Sequence, residues 1–408
     1  MADVIAEITN AGLCHGCGAC AAAVGGGKVV MALSPAGYLR PTVTQPLTPV
    51  DETVVAAVCS GDRLHQGRTP EADYDINWGP IVSLETGYST NPEIRYRGSS
   101  GGVISAVATH LLETGQVDFV VHTAADPNDP IGNLTRASHT TAEIISAAGS
   151  RYAPSSPLAD LEVHLQTGKR FAFVGKPCDV ASLRRMAQRD SRIDQQIPFK
   201  LAFFCAGVPS RKGAQEILTA LDVKQDDVVE FAYRGRGWPG LTRAVRRDGT
   251  ESSMDYNSSW GQILTKHLQF RCKVCVDGTG EFSDITCADA WYGKDGYPDF
   301  AEREGRSLIV ARTPAGHALI EAMKAANKIM AEPLHRDEIQ RMQPYQYERK
   351  HAVLARVMAS RFRFRRAAKY SGFGLLALSW QSLRTRPVWL VRQMLGTFKR
   401  ISFSRPIN

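Results

Sequence analysis

The chain has 408 residues, a formal net charge of +8 and nine cysteines. That length exceeds one typical domain, and the apolar content is ordinary for a globular protein, which excludes a disordered or disulfide-stapled class. The charge is uneven: residues 350–408 carry 13 Lys and Arg and no Asp or Glu, leaving 36 basic and 41 acidic side chains elsewhere. The body therefore has no basic footprint for nucleic acid.

The start, "MADVIAEITNAGLC", has acidic residues and no long apolar stretch, so no signal peptide is expected. "FGLLALSW" is too short to cross a hydrocarbon core of roughly 30 Å. A cytoplasmic protein is expected, and nine thiols there point to metal or redox work.

Residues 1–75 are rich in Gly and Pro, with short strands such as "KVVMAL", which suits a small module built around a metal. From residue 76 strands and helices alternate. "VISAVATHLL" has helical spacing and stops at Gly115, and "DFVVHTA" follows as a buried strand. "RFAFVG" and "FKLAFFCAG" read as further buried strands with the helix "DVASLRRMA" between them. "TRAVRRDGTE" reads as part of a hairpin, and "GRSLIVARTPAGHALIEAM" as strand, turn and helix. The expected class is α/β with mixed α+β character. After residue 345 the pattern is helical, basic and aromatic. It suits a helix on a membrane surface or on an acidic protein partner, and equally an extension packed on its own domain.

"LCHGCGAC" places Cys14, Cys17 and Cys20 three residues apart. C-x2-C-x2-C thiolates wrap one side of an iron–sulfur cubane, because successive ligands meet adjacent irons. Val24 stands where a ferredoxin-like fourth cysteine would follow, so Cys59 is the expected fourth ligand. Zinc prefers paired CxxC knuckles and fits the triplet poorly. A second set is dispersed: Cys178 at a strand-to-helix turn, Cys205 at a strand end, and Cys272 with Cys275 as a CxxC pair. Alone, Cys205 reads as a buried small hydrophobe. Cys287 is either the ninth, non-ligand thiol or the replacement for Cys205.

"YRGSSGGVISAV" sets Arg97, Ser99, Ser100, Gly101 and Gly102 directly before a helix. Free N–H groups at such a start make a phosphate cradle, though the loop is neither a dinucleotide fingerprint nor a P-loop. Beside two thiol sets, a pyrophosphate-bearing flavin is the natural tenant. "GSRYAPSS" adds Ser150, Arg151 and Tyr152 as polar groups for phosphate or an anionic substrate.

Together, "CHGCGAC", "RGSSGGVISA", "GSRYAPS", "VGKPCDVASLRR", "YRGRGWPG", "RCKVCVDGTGEFSDITCADAW" and "GRSLIVART" resemble, in order, the beta subunit of coenzyme F420 hydrogenase/dehydrogenase and its relatives. Those relatives include ferredoxin-dependent hydroxymethyl-chlorophyll and divinyl-chlorophyllide reductases. The resemblance covers about residues 13–316. It implies FAD, one or two 4Fe–4S clusters and electron transfer between one-electron and two-electron carriers. It places Arg97 to Gly102 by FAD with Ser150 to Tyr152 nearby, and Cys178, Cys272 and Cys275 on a cluster.

The expected organisation is an iron–sulfur module at 1–75, a FAD- and iron–sulfur-binding α/β body at 76–345, and a basic amphipathic helical tail at 346–408. The expected function is an iron–sulfur flavoprotein oxidoreductase passing electrons between a donor and an organic acceptor. The donor is reduced F420, ferredoxin or a nicotinamide, and the acceptor is unassigned. The alternative is an electron-relay subunit docked on a larger redox or polysaccharide-synthesis assembly, without its own substrate. The tail leaves room for a peripheral place at the inner membrane face. No catalytic residue is selected; His122, Asp179, His267 and Asp289 are of the type that delivers protons.

Overall fold

The computed structural model describes residues 3–294, 297–362, 364 and 366–403. Its centre is an eight-stranded mixed sheet. In chain order the strands are β1 (Ser83–Ser89), β2 (Phe119–Asp126), β3 (Asp129–Ser138), β4 (Phe171–Gly175), β5 (Lys200–Phe203), β6 (Ile285–Asp289), β7 (Ser307–Ala311) and β8 (Ile329–Pro333). They lie in the order β8-β1-β7-β6-β5-β4-β2-β3. Strands β2, β4, β5 and β6 are mutually parallel, while β3, β7 and β8 run the other way. Because β1 is antiparallel to β7, it shares the direction of β6.

The inner strands β4, β6 and β7 are buried almost throughout because both faces are covered, whereas the edge strands β3 and β8 are partly exposed. Phe171 and Phe173 of β4 turn to one face with Val121 and Leu183, and Ala172 turns to the other with Val107 and Ile309. The helix Pro177–Ala187 covers the first face, and Val103–Glu113 with Pro314–Ala325 covers the second. The result is a three-layer sandwich in which successive side chains of the inner strands are buried on opposite faces. A smaller antiparallel sheet joins Val228–Ala232, Thr242–Arg246 and Glu251–Met254. Its hairpin turns at Gly249, where φ is +82°.

Two amino-terminal helices, Val4–Asn10 and Pro49–Val58, stand where the sequence showed little periodicity. Thr48 opens the second with a capping box to Asp51. Val4, Leu13 and Val55 share one hydrophobic cluster with Phe270, Val353, Phe373 and Ile401. The amino-terminal segment, the CxxC region and the tail therefore close on a common core. Further ties are Arg366, which bonds both Asp62 and Glu7, and a parallel pairing of Lys369–Ser371 with Arg63–His65. Among the described residues, no helix is long and apolar enough to cross a membrane.

Candidate functional site

One edge of the sheet collects the chemistry. The carboxyl end of β4 leads to Lys176 and Cys178, that of β5 to Cys205, and β6 ends at Asp289. Beyond β1 a short helix leads into the loop Gly98–Gly102. Carboxyl ends of parallel strands diverge into loops and leave a crevice, the usual place for a ligand in such sheets.

In the amino-terminal loop Gly16 and Gly18 adopt φ of +81° and +86°, and a Cβ on either would collide with Leu39 O or Ala159 N. These left-handed turns coil the chain so that Cys14, Cys17 and Cys20 stay near one another and near Cys59. Burial raises all four thiols above their ordinary pKa, and within the group Cys14 and Cys59 push Cys20 further up. The backbone N–H of Ala19 donates to Cys17 Sγ at 3.5 Å.

The second group lies just across a polar seam. Burial also raises Cys178, Cys205 and Cys275, Cys205 to about 12, with Cys272 and Cys275 contributing to the rise at Cys205. Val208 N–H donates to Cys272 Sγ at 3.3 Å. The buried Asp179 carboxylate raises both Cys17 and Cys178, so one carboxylate neighbours both groups. Lys176 holds that carboxylate at 2.8 Å and also donates to Ser155. Arg271 is wholly buried among Cys178, Cys272 and Cys275; it donates to Ser60 O, while its Nε and Nη1 have no partner. Cys287 differs from its cavity neighbour Cys205 in that burial is the one cause that raises it, to about 12. Each group of four thiols could hold a soft, thiolate-bound metal centre, whose positive charge would offset ligand ionisation in this buried setting.

A cavity of about 800 Å³ opens on this edge. Gly98, Ser99, Ser100, Gly102 and the first turn of the helix Val103–Glu113 line one side, and Cys205 and Cys272 line another. Gly102 is the N-cap with φ +73° and no side-chain cap, so the first-turn N–H groups face a space suited to an anion. Tyr152, Tyr256, Trp260 and Trp291 supply aromatic wall.

The residues expected around a flavin divide. Ser99, Ser100, Gly102, Ser150, Arg151 and Tyr152 line the cavity. Gly101 instead packs into the sheet, where a Cβ would come 2.6 Å from Gly87 O. Arg97 is turned outward, paired with Glu93 at 3.0 Å. Arg151 spends its guanidinium on Asn133 and the carbonyls of Phe231, Pro130 and Gly132, and so braces the cavity wall. Ser100 Oγ donates to Arg306 O at 2.8 Å, tying the loop to β7.

Of the proton-delivering types, His122 lines the cavity beside Ser138, but burial lowers its pKa to about 4, so it is neutral near pH 7. His267 pairs with Glu216 and does not line the cavity. Asp289 faces the cavity and grips buried Arg234 through both oxygens at 3.0 Å. Trp238 Nε1 adds a third bond to the same carboxylate at 2.7 Å. The sequence hinted at neither this pairing nor the burial of Arg271; only the "RCKVC" context marks Arg271 as a thiol neighbour.

The comparisons with known proteins bear on the same segments. Two family models of the coenzyme F420 hydrogenase/dehydrogenase beta subunit match, that of its amino-terminal part over residues 85–161 and that of its carboxy-terminal part over residues 168–337. The chain belongs to this family. Among curated relatives, "Coenzyme F420 hydrogenase subunit beta" of Methanococcus voltae is 27% identical over 60% of this chain and 84% of its own length. A subunit of the F(420)H(2) dehydrogenase of Methanosarcina mazei is 23% identical over 82% of this chain and 88% of its own. "Coenzyme F420-dependent sulfite reductase" of Methanocaldococcus jannaschii is 22% identical over 93% of this chain, which spans 56% of that longer protein. A chain of the F420-reducing [NiFe] hydrogenase complex from Methanosarcina barkeri superposes with a TM-score of 0.56 at 19% identity. That likeness covers 72% of this chain and 98% of the other, and shows a shared fold. The matched family segments include Cys178, Cys205, Cys272 and Cys275; the triplet Cys14–Cys20, Cys59 and the tail lie outside them.

A separate group of potential ligands, Glu85, His317 and Glu321, gathers within 4.8 Å behind the sheet. Lys324 already occupies it, 3.2 Å from Glu85 and 2.9 Å from Glu321, and acts as its resident cation.

Proposed function

We propose that this chain is the electron-transferring subunit of an F420-linked oxidoreductase, with two thiolate-bound 4Fe–4S sites and FAD in the central cavity. The observation that carries the reading is that one cavity has the open helix start at Gly102 on one wall and Cys205 with Cys272 on another. Cys14, Cys17, Cys20 and Cys59 would hold one cluster, and Cys178, Cys205, Cys272 and Cys275 the other. The N–H groups of the first turn after Gly102, with Ser99, would receive the flavin diphosphate. When bound, these groups exchange electrons singly on one side and in pairs on the other.

The protein's own residues support that work. Lys176 places a buried cation on the cavity wall and offsets Asp179 between the two thiol groups. Arg271, with two unpartnered nitrogens among thiols, supplies positive charge where cluster-bound thiolates would concentrate negative charge. Arg234 and Asp289 hold the aromatic wall in place, the guanidinium lying 4.8 Å from the Tyr256 ring centre and 5.2 Å from that of Trp291. The helix Pro344–Arg361 closes the far end, where Gln346 and Arg349 both donate to Cys205 O. Trp389 and Gln393 complete that wall, so the tail belongs to the cavity.

The experiment is an anaerobic titration of the holoprotein with reduced F420, reduced ferredoxin and NADH, followed in the visible spectrum. Reduced F420 is expected to bleach the flavin. Bleaching by ferredoxin or NADH alone would overturn the F420 assignment, and a protein that no donor bleaches would overturn the electron-transfer reading.

A further inference from the structure

The helices Leu375–Thr385 and Pro387–Phe403 lie side by side against the helix Pro344–Arg361. Leu378, Ser382, Thr397 and Ile401 face inward and are buried. On the outer side Leu376, Trp380 and Leu383 repeat at i, i+4 and i+7, while Val388, Val391, Leu395 and Phe398 repeat at i, i+3, i+7 and i+10. These seven side chains are between 43% and 79% exposed. Helical spacing makes each set one stripe, and the shared support brings the two stripes together. Isolated exposed apolar residues are unremarkable; two adjoining stripes on successive helices are an interaction surface.

The charges beside the stripes have one sign. Arg384, Arg392, Lys399 and Arg400 belong to the same two helices and Arg386 joins them, and no Asp or Glu occurs from residue 350 onward. Two of these cations lie over tryptophans, Arg384 at 5.6 Å from Trp380 and Arg386 at 4.3 Å from Trp389. Arg386 also reaches Glu348, at 3.5 Å. Charge by itself would also suit an acidic protein face, since a positive patch meets a negative one across an interface; the apolar side chains between the cations decide for lipid. Leu, Val, Phe and Trp flanked only by Arg and Lys fit the interface of an anionic bilayer, with apolar tips below the headgroups and cations level with the phosphates.

We propose that the paired helices 375–403 dock this protein on an anionic lipid surface, lying in the plane of the interface. The docking stands independently of the redox reading, since none of the outward apolar residues of the two stripes is a proposed ligand or lines the cavity.

The test is co-sedimentation of the full-chain holoprotein with sucrose-loaded phosphatidylcholine vesicles, with and without phosphatidylglycerol. Binding only to the phosphatidylglycerol vesicles, weakened by salt, is expected. The triple variant Leu376→Ser, Trp380→Ser, Leu395→Ser should bind roughly tenfold or more weakly. An unchanged visible spectrum and melting midpoint would show that it is folded. The pair Arg392→Gln, Lys399→Gln should weaken binding while leaving the apolar stripe intact. Failure to sediment with anionic vesicles, or undiminished binding by the triple variant, would overturn the proposal. So would a dimer that dissociates in the triple variant by light scattering, since the stripes would then meet a second copy. Binding to soluble polyglutamate in place of vesicles would overturn it in favour of an acidic protein partner.

Discussion

Cys178→Ser is expected to yield a folded protein that retains about half of its iron and has lost donor-to-acceptor turnover by roughly two orders of magnitude or more. Cys178 follows Pro177 at the start of its helix, half-buried, with Asp179, Cys205 and Cys275 as its charged neighbours. Arg271 stands against the same group with two unpartnered nitrogens. A serine oxygen is a poor ligand for iron, and a three-thiolate site there would leave the cluster labile. The amino-terminal group has its own four thiols and does not include Cys178, so the cluster proposed there should remain. Iron assay and turnover on the same preparation check the two halves of this expectation. Cys205→Ala should reduce iron in the same way. Cys287→Ala should leave both iron and spectrum unaltered, because burial alone raises Cys287 whereas neighbouring thiols add to the rise at Cys205. The opposite result would move the fourth ligand from Cys205 to Cys287.

Lys350→Met should destabilise the protein by about 3–5 kcal/mol, measured as a lowered midpoint in chemical denaturation. Lys350 Nζ donates to Glu281 Oε1 at 2.6 Å, and the two side chains are only 4% and 0% exposed. Glu281 keeps the donors Gln66 Nε2 and Tyr74 OH, but both are neutral. Removing the lysine therefore strands a buried carboxylate. The double variant Lys350→Met, Glu281→Gln should recover most of the loss, because the uncompensated charge is gone. A drop of only a few tenths of a kcal/mol in the single variant would mean that the tail helix is not anchored as this pair indicates.

Much of the body was legible because its strands are short apolar runs that end at chemistry-bearing turns. "RFAFVG", "FKLAFFCAG" and "GRSLIVART" mark β4, β5 and β7, and the glycine loop stands directly before its helix. The adjacency of the thiols was legible too: spacing gathers Cys14, Cys17 and Cys20, and sheet logic brings Cys178 and Cys205 toward the CxxC pair. What escaped depends on contacts between distant segments. Arg234 meets Asp289 across 55 positions, and Lys350 meets Glu281 across 69. Periodicity carries no information about such pairs. The helix Pro49–Val58 escaped for a different reason, since its apolar spacing is weak; "TPVD" held the local signals, the Thr48–Asp51 capping box and Pro49 in the first turn. The outward turn of Arg97 was equally hidden, because its partner Glu93 lies on the preceding turn of the same short helix. Spacing alone left the tail divided between packing and display. In the structure it does both, with one face walling the cavity and the other bearing the apolar stripes.

The most direct test of the central claim is the composition of anaerobically purified wild-type protein: iron, acid-labile sulfide, zinc and released flavin per chain. The two proposed clusters and the proposed FAD predict about eight irons, about eight sulfides and one FAD per chain. About four irons would contradict the two-cluster assignment, and a colourless, zinc-bearing, flavin-free protein would contradict the redox account as a whole.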